Sequence, residues 1–165
     1  MKCTSIRAGI GLTAAMLIAG GASATQAASL VDISLWDKGA RTPMAMGLAY
    51  ATPSHDTAKA TMGIKVSPAA VRAGKVTFNV KNDSKDRVHE MIVIYLVNPG
   101  QQLPYISAEN RVDEDKAGDK GEVSELHPGA SGTLSVNLKA GKYLLICNMP
   151  GHYRAGMWAE FTVDP

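Results

Sequence analysis

The sequence predicts an all-β protein, an antiparallel β-sandwich. Three observations lead there. Short runs alternate apolar and polar residues from residue 30 onward. Turn-forming clusters ("VRAG", "KNDSKD", "HPGASG", "LKAG") separate them. One run, "HEMIVIYLV" at 89–97, is apolar throughout and has the length of a strand buried on both faces.

The elements follow in order. "LVDISLW" (30–36) alternates, so one of its faces is apolar. "ARTPMAMGLAYATPSHDTAKA" (40–60) is rich in small residues, with weak periodicity, and is read as an arm or long connection. "TMGIKVSP" (61–68) puts Met62, Ile64 and Val66 on one face, and "GKVTFNVKN" (74–82) does the same with Val76, Phe78 and Val80. After the run at 89–97, residues 98–125 are polar and charged. They are expected to form an exposed excursion with little regular structure, a short helix around 108–115 at most. "GTLSVNL" (132–138), "GKYLLIC" (141–147) and "GMWAEFTV" (156–163) complete seven or eight strands. The reading divides the chain into residues 1–28, an N-terminal strand and arm at 29–58, and a main domain at 59–165.

The first 28 residues are set apart by composition. Lys2 and Arg7 precede an apolar run that ends in "GGASATQAAS", the layout of a secretory signal peptide. The apolar stretch falls short of the ~20 residues that span a bilayer. Cleavage is expected after Ala24, Ala27 or Ala28, which gives a mature chain starting between Thr25 and Ser29 with no membrane span. The expected location is the periplasm, with an extracellular destination as the alternative. Removal takes Cys3 and two bases, so 17 bases against 15 acids becomes 15 against 15. A near-neutral chain without a clustered basic face argues against nucleic acid or anionic membrane as partner. Cys147 is then the lone thiol in an oxidising compartment, which calls for something that protects or uses it.

"CNMPGHYRAGM" (147–157) suggests what that is. Cys147, His152 and Met157 recur at even steps, C-x4-H-x4-M, with Pro150 and Gly151 supplying a turn. His89 opens the buried run after a turn. In a sandwich, the start of one strand and the end of another share a pole, so His89 is expected to meet this loop. Two imidazoles, a thiolate and a thioether suit copper; structural zinc takes four strong ligands, and a thioether is a poor one. His55 and His127 lie in polar turns and are read as surface residues, Met91 as core, and Met149 as part of an apolar rim.

These residues resemble the cupredoxin family, the type 1 blue copper proteins. "VRAGKVTFNVKND", "HEMIVI" and "LHPGASGTLSVNLKAGKYLLICNMPGHYRAGMWAEFTV" carry the likeness, over about residues 59–165. The loop spacing is similar to that of rusticyanin-like and auracyanin-like members. The resemblance implies a Greek-key β-sandwich holding one copper, with His89, Cys147 and His152 as equatorial ligands and Met157 as the axial one. Glu90 departs from the Asn or Ser that follows the first histidine in several electron carriers of the family, so the reduction potential stays open.

Three functions fit parts of this pattern. The first is a one-electron carrier cycling between Cu(I) and Cu(II). It would be a monomer whose redox partners dock on an apolar patch of Met149, Pro150 and Tyr153 around His152. The second is a protein of copper tolerance, buffering or delivery, in which "PMAMG" (43–47) and Met62 add soft ligands for Cu(I). The third, a Cys147–His152 hydrolase, lacks a third orienting group and leaves Met157 without a task. The expectation is that the protein is not an enzyme.

Overall fold

The computed structural model describes residues 28–53 and 56–165. The expected signal segment up to Ala27, and His55, lie outside the described residues. Eleven strands occur among the described residues, nine of them in two packed sheets. The first sheet runs β2 (Met62–Ser67), β1 (Ser29–Asp37), β4 (Gly74–Asn82), β9 (Ser131–Leu138). The second runs β3 (Ala70–Arg72), β11 (Trp158–Asp164), β10 (Gly141–Ile146), β5 (His89–Tyr95), β8 (Asp119–Leu126). Among these residues no helix is long and apolar enough to cross a membrane.

The alternating runs become strands because their apolar faces meet between the sheets. Val31, Ile33 and Leu35 of β1 and Val76, Phe78 and Val80 of β4 pack against Met91, Val93, Leu145 and Phe161 of the second sheet. Phe78 and Phe161 meet edge to face, 5.3 Å apart. The sandwich is not purely antiparallel. β1 pairs with β4 in parallel, and β11 pairs with β3 in parallel. The chain leaves the first sheet after β2, crosses to the second as β3 and returns as β4, so β4 runs in the direction of β1.

β5 and β10 are apolar on both faces because each lies under two layers. Met91, Val93, Tyr143 and Leu145 face the other sheet, whereas Ile92, Ile94, Leu144 and Ile146 face outward into a second cluster. Tyr50 of the arm, Val112 of the excursion and Tyr153 of the loop at 147–157 cover that cluster. Among its described residues the arm is irregular apart from a single 3-10 turn at Thr57–Lys59. It is tied to the last strand where the Trp158 indole N–H donates to the Leu48 carbonyl at 2.7 Å.

The excursion at 98–125 is more ordered than its composition predicts. It holds a short hairpin of β6 (Tyr105–Ile106) and β7 (Arg111–Val112), one turn of helix, α1 (Glu114–Ala117), and then β8 as an edge strand on β5. The helical turn starts later than expected because Asp113 caps it, its carboxylate accepting the Lys116 N–H at 3.2 Å. β8 shows no alternation because its pairing with β5 shifts register between His89 and Met91, where Glu125 sits at φ 40°. Its two inward residues, Val123 and Leu126, are therefore three apart. The last strand begins at Trp158 instead of Gly156, because residues 153–155 form a 3-10 turn that Gly156 ends at φ 91°.

Candidate metal centre

Three strand ends converge at one pole. β5 delivers His89 at its start, β10 delivers Cys147 just past its end, and β1 delivers Asp37 at its last position. His89 and Cys147 are 0% exposed and His152 is 7% exposed. The His89 Nδ1 lies 3.2 Å from His152 Nδ1 and 3.9 Å from Cys147 Sγ, and the third side of the triangle, Cys147 Sγ to His152 Nδ1, is 3.4 Å. A point equidistant from three atoms so spaced lies about 2 Å from each, close to the bond length of imidazole nitrogen and thiolate to a first-row metal, about 2.0–2.3 Å. Donor atoms at this spacing are arranged for an ion between them.

The loop holds this arrangement through its own backbone. The Cys147 N–H donates to the Met157 carbonyl at 3.1 Å, and the Met157 N–H donates to the His152 carbonyl at 3.0 Å. Gly151 makes the turn between Cys147 and His152 at φ 84°, a conformation that L side chains avoid. Its N–H donates to the Asn110 carbonyl at 2.8 Å, anchoring the turn to the excursion. Asn148 is a second anchor. Its Oδ1 accepts the Val112 N–H at 2.7 Å, and its Nδ2 donates to the Val112 carbonyl and the Glu114 carboxylate. Met157 is fully buried in the same cluster as Cys147.

Burial sets the charge state of the centre. It lowers the pKa of His89, with Asp37 opposing, and pushes His152 down to about 4. Both imidazoles are thus neutral, with lone pairs free to bind metal. Burial pushes the Cys147 thiol up to about 12, while the backbone N–H groups of Glu90 and Met149 point at the sulfur and favour the thiolate. With its pKa so raised, Cys147 ionises only beside a cation, which a bound metal would supply.

Glu90 follows His89, and its side chain points the other way, into the second layer. It is buried, and burial pushes its carboxyl up to about 7 against the influence of Arg111; its Oε1 has no hydrogen-bond partner among the described residues. Its backbone N–H, by contrast, points at the Cys147 sulfur.

The structure brings His89, Cys147 and His152 together and places Met157 at the loop's end, in the same buried cluster. His127 is exposed and Met91 is core, as the sequence predicts. Two expectations change. Tyr153 is buried in the second cluster, because the 3-10 turn rotates it inward, so it is not part of a surface patch around His152. Met62 is core between the sheets, because β2 points it inward with Ile64, so it is not free to add a Cu(I) site. Asp37, Asn110 and Asn148 escape sequence reasoning. Of these only Asp37 had a signal: the alternation Val31, Ile33, Leu35, carried one step further, puts an acid on the core face.

The fold and the donor set define the class of protein. It is a cupredoxin, a blue copper protein built around one type 1 copper, with a soft sulfur and imidazole set that suits copper better than zinc. The sulfocyanin (SoxE) domain family matches residues 56–165, and the chain belongs to that family. None of the curated proteins compared with it matches. Among solved structures, dithionite-reduced auracyanin from Roseiflexus castenholzii is 17% identical, with a TM-score of 0.50, covering 84% of this chain and 98% of that one. Auracyanin A, a "blue" copper protein from Chloroflexus aurantiacus, is 21% identical, with a TM-score of 0.50, covering 84% and 100%. Reduced rusticyanin is 16% identical, with a TM-score of 0.51, covering 84% and 82%. These likenesses speak for the fold; the family match carries the assignment.

Proposed function

We propose that the protein is an exported one-electron carrier whose copper cycles between Cu(I) and Cu(II) in the periplasm. The observation that carries this reading is the preformed donor triangle, buried and tied from three sides. The copper supplies the electron. His89, Cys147 and His152 would hold the copper, with Met157 as a weaker fourth donor. Because Asn148, Asn110 and Asp37 anchor the ligand-bearing segments, little has to rearrange when the metal changes charge. The N-terminal composition supports export, as Cys147 then stands as a lone thiol that the metal protects. The buried thiol, its pKa raised, is the opposite of an activated nucleophile and supports a non-enzymatic role.

His152 is the ligand nearest solvent. Exposed Pro150 and half-buried Met149 and Met44 surround it with apolar surface, Met44 lying over Gly151. This is the surface on which a redox protein docks, and redox encounters need only small, weak interfaces. The carrier works as a monomer. Stopped-flow mixing of the copper protein with small inorganic reductants and oxidants tests the reading. Fast, reversible one-electron exchange with the copper retained supports it; release of copper on each reduction opposes it.

A second reading, copper buffering or delivery, draws on Met46, which is 47% exposed in the arm two residues after Met44. Under that reading Met44→Leu with Met46→Leu weakens Cu(I) retention against a chelator. Under the carrier reading it does not.

A further inference from the structure

The side of His89 that faces away from the donor triangle carries an unusual partner. Its Nε2 is 2.7 Å from Asp37 Oδ2, and the side chains of the pair are 0% and 2% exposed. A hydrogen bond between an imidazole and a carboxylate, both sealed from water, is shorter and stronger than one between neutral groups. We infer that Asp37 is the positioning residue of the copper centre: it fixes His89 with Nδ1 toward the metal and holds the reduction potential down. This inference rests on the copper reading above.

The geometry assigns the tautomer. Asp37 accepts, so Nε2 carries the proton and Nδ1 presents its lone pair to Cys147 and His152. The orientation is fixed at both ends, since the Asp37 carboxylate also accepts from the Gly39 N–H, and Ser84 helps to hold its pKa down. Ser84 is itself buried and accepts the Arg87 N–H at 2.9 Å. The potential follows from charge. A buried anion one ring away from the metal favours the more positive oxidation state, and it makes the imidazole a stronger donor. Cu(II) gains more than Cu(I) on both counts. The Arg87 charge opposes Asp37 at His89, and its guanidinium donates to the Ala40 and Thr42 carbonyls.

The test is Asp37→Asn in the full copper-loaded chain, which keeps the shape and an acceptor oxygen and removes the charge. Asp32→Asn is the control: an exposed acid on the same strand, facing out, where its carboxylate accepts from Asn79. At a fixed ambient potential, the Cu(I):Cu(II) ratio is read from the visible band. The expected result is a shift toward Cu(I) of about tenfold in Asp37→Asn, a midpoint rise of about 59 mV, with the band retained and Asp32→Asn close to wild type. An unchanged ratio in Asp37→Asn, or an equal shift in both variants, overturns the inference. A wild-type protein without a blue band would instead remove the copper reading. If Asp37→Asn does not fold, Ser84→Ala supplies the readout, because losing the hydroxyl leaves more of the Asp37 charge on His89. The ratio then moves toward Cu(II), and no change or the opposite change overturns the inference.

Discussion

Replacing Gly151 by alanine tests how the copper loop is built. Gly151 has φ 84°, where an L residue costs roughly 1–2 kcal/mol. A Cβ there would sit 2.9 Å from Asn110 Nδ2 and 3.3 Å from the Met44 methyl. The Asn110 amide must move, and its Oδ1 accepts the Tyr105 hydroxyl while its carbonyl accepts the Gly151 N–H. Weakening one such bond costs about 1 kcal/mol. Together these predict a loss of about 2–3 kcal/mol, or roughly 10 °C in the melting temperature of a domain this size. The assay is thermal and urea unfolding of the metal-free protein, so that copper affinity does not enter. Gly129→Ala isolates the backbone contribution, since Gly129 has φ 76° and a Cβ there meets nothing within 4 Å. Gly151→Ala should lose about 1 kcal/mol more than Gly129→Ala. Equal losses would refute the packing of the turn against Asn110 and Met44.

Three further outcomes follow from the site. Met157→Leu should keep copper and raise the potential, because an axial thioether binds weakly; metal loss as complete as in His89→Ala, measured by metal analysis, would contradict the axial role. Asn148→Ala removes the side chain's ties to Val112 and Glu114 and should cost about 2–3 kcal/mol in unfolding of the metal-free protein, with faster copper loss to a chelator; wild-type values on both counts would show that the anchor does not matter. Met149→Glu should slow electron exchange with a protein redox partner while leaving the absorption spectrum unchanged, because it adds a charge to a surface that loses water on contact; unchanged stopped-flow rates would move the docking surface elsewhere.

Most of the sandwich was legible because alternation maps directly onto a face. Val76, Phe78 and Val80 point inward as their period of two requires, and β4 spans residues 74–82 as read. The run at 89–97 showed its double burial through continuous apolarity. β8 stayed hidden because a bulge breaks the period on which the reading depends, and because an edge strand with one covered face needs few apolar residues. The parallel pairings were not legible, since strand patterns carry no direction. At the site, Cys147, His152 and Met157 announced themselves by local spacing, and His89 by its place at a strand start. Asp37 lies 52 residues from His89 in sequence, and Asn148 reaches Val112 across 36 residues. Such contacts exist only once the strands are stacked. Tyr153 was misplaced because a 3-10 turn decides which way it faces, and no periodicity foretells a turn of three residues.

The central claim is that Cys147, with His89 and His152, holds a type 1 copper. Titration of the purified metal-free protein with Cu(II), followed by visible absorption and metal analysis, tests it most directly. The account predicts one copper per chain, an intense blue band that saturates at one equivalent, and loss of that band in Cys147→Ser while the β-rich circular dichroism persists. Colourless Cu(II) binding by the wild type, or an equally intense band in Cys147→Ser, would contradict it.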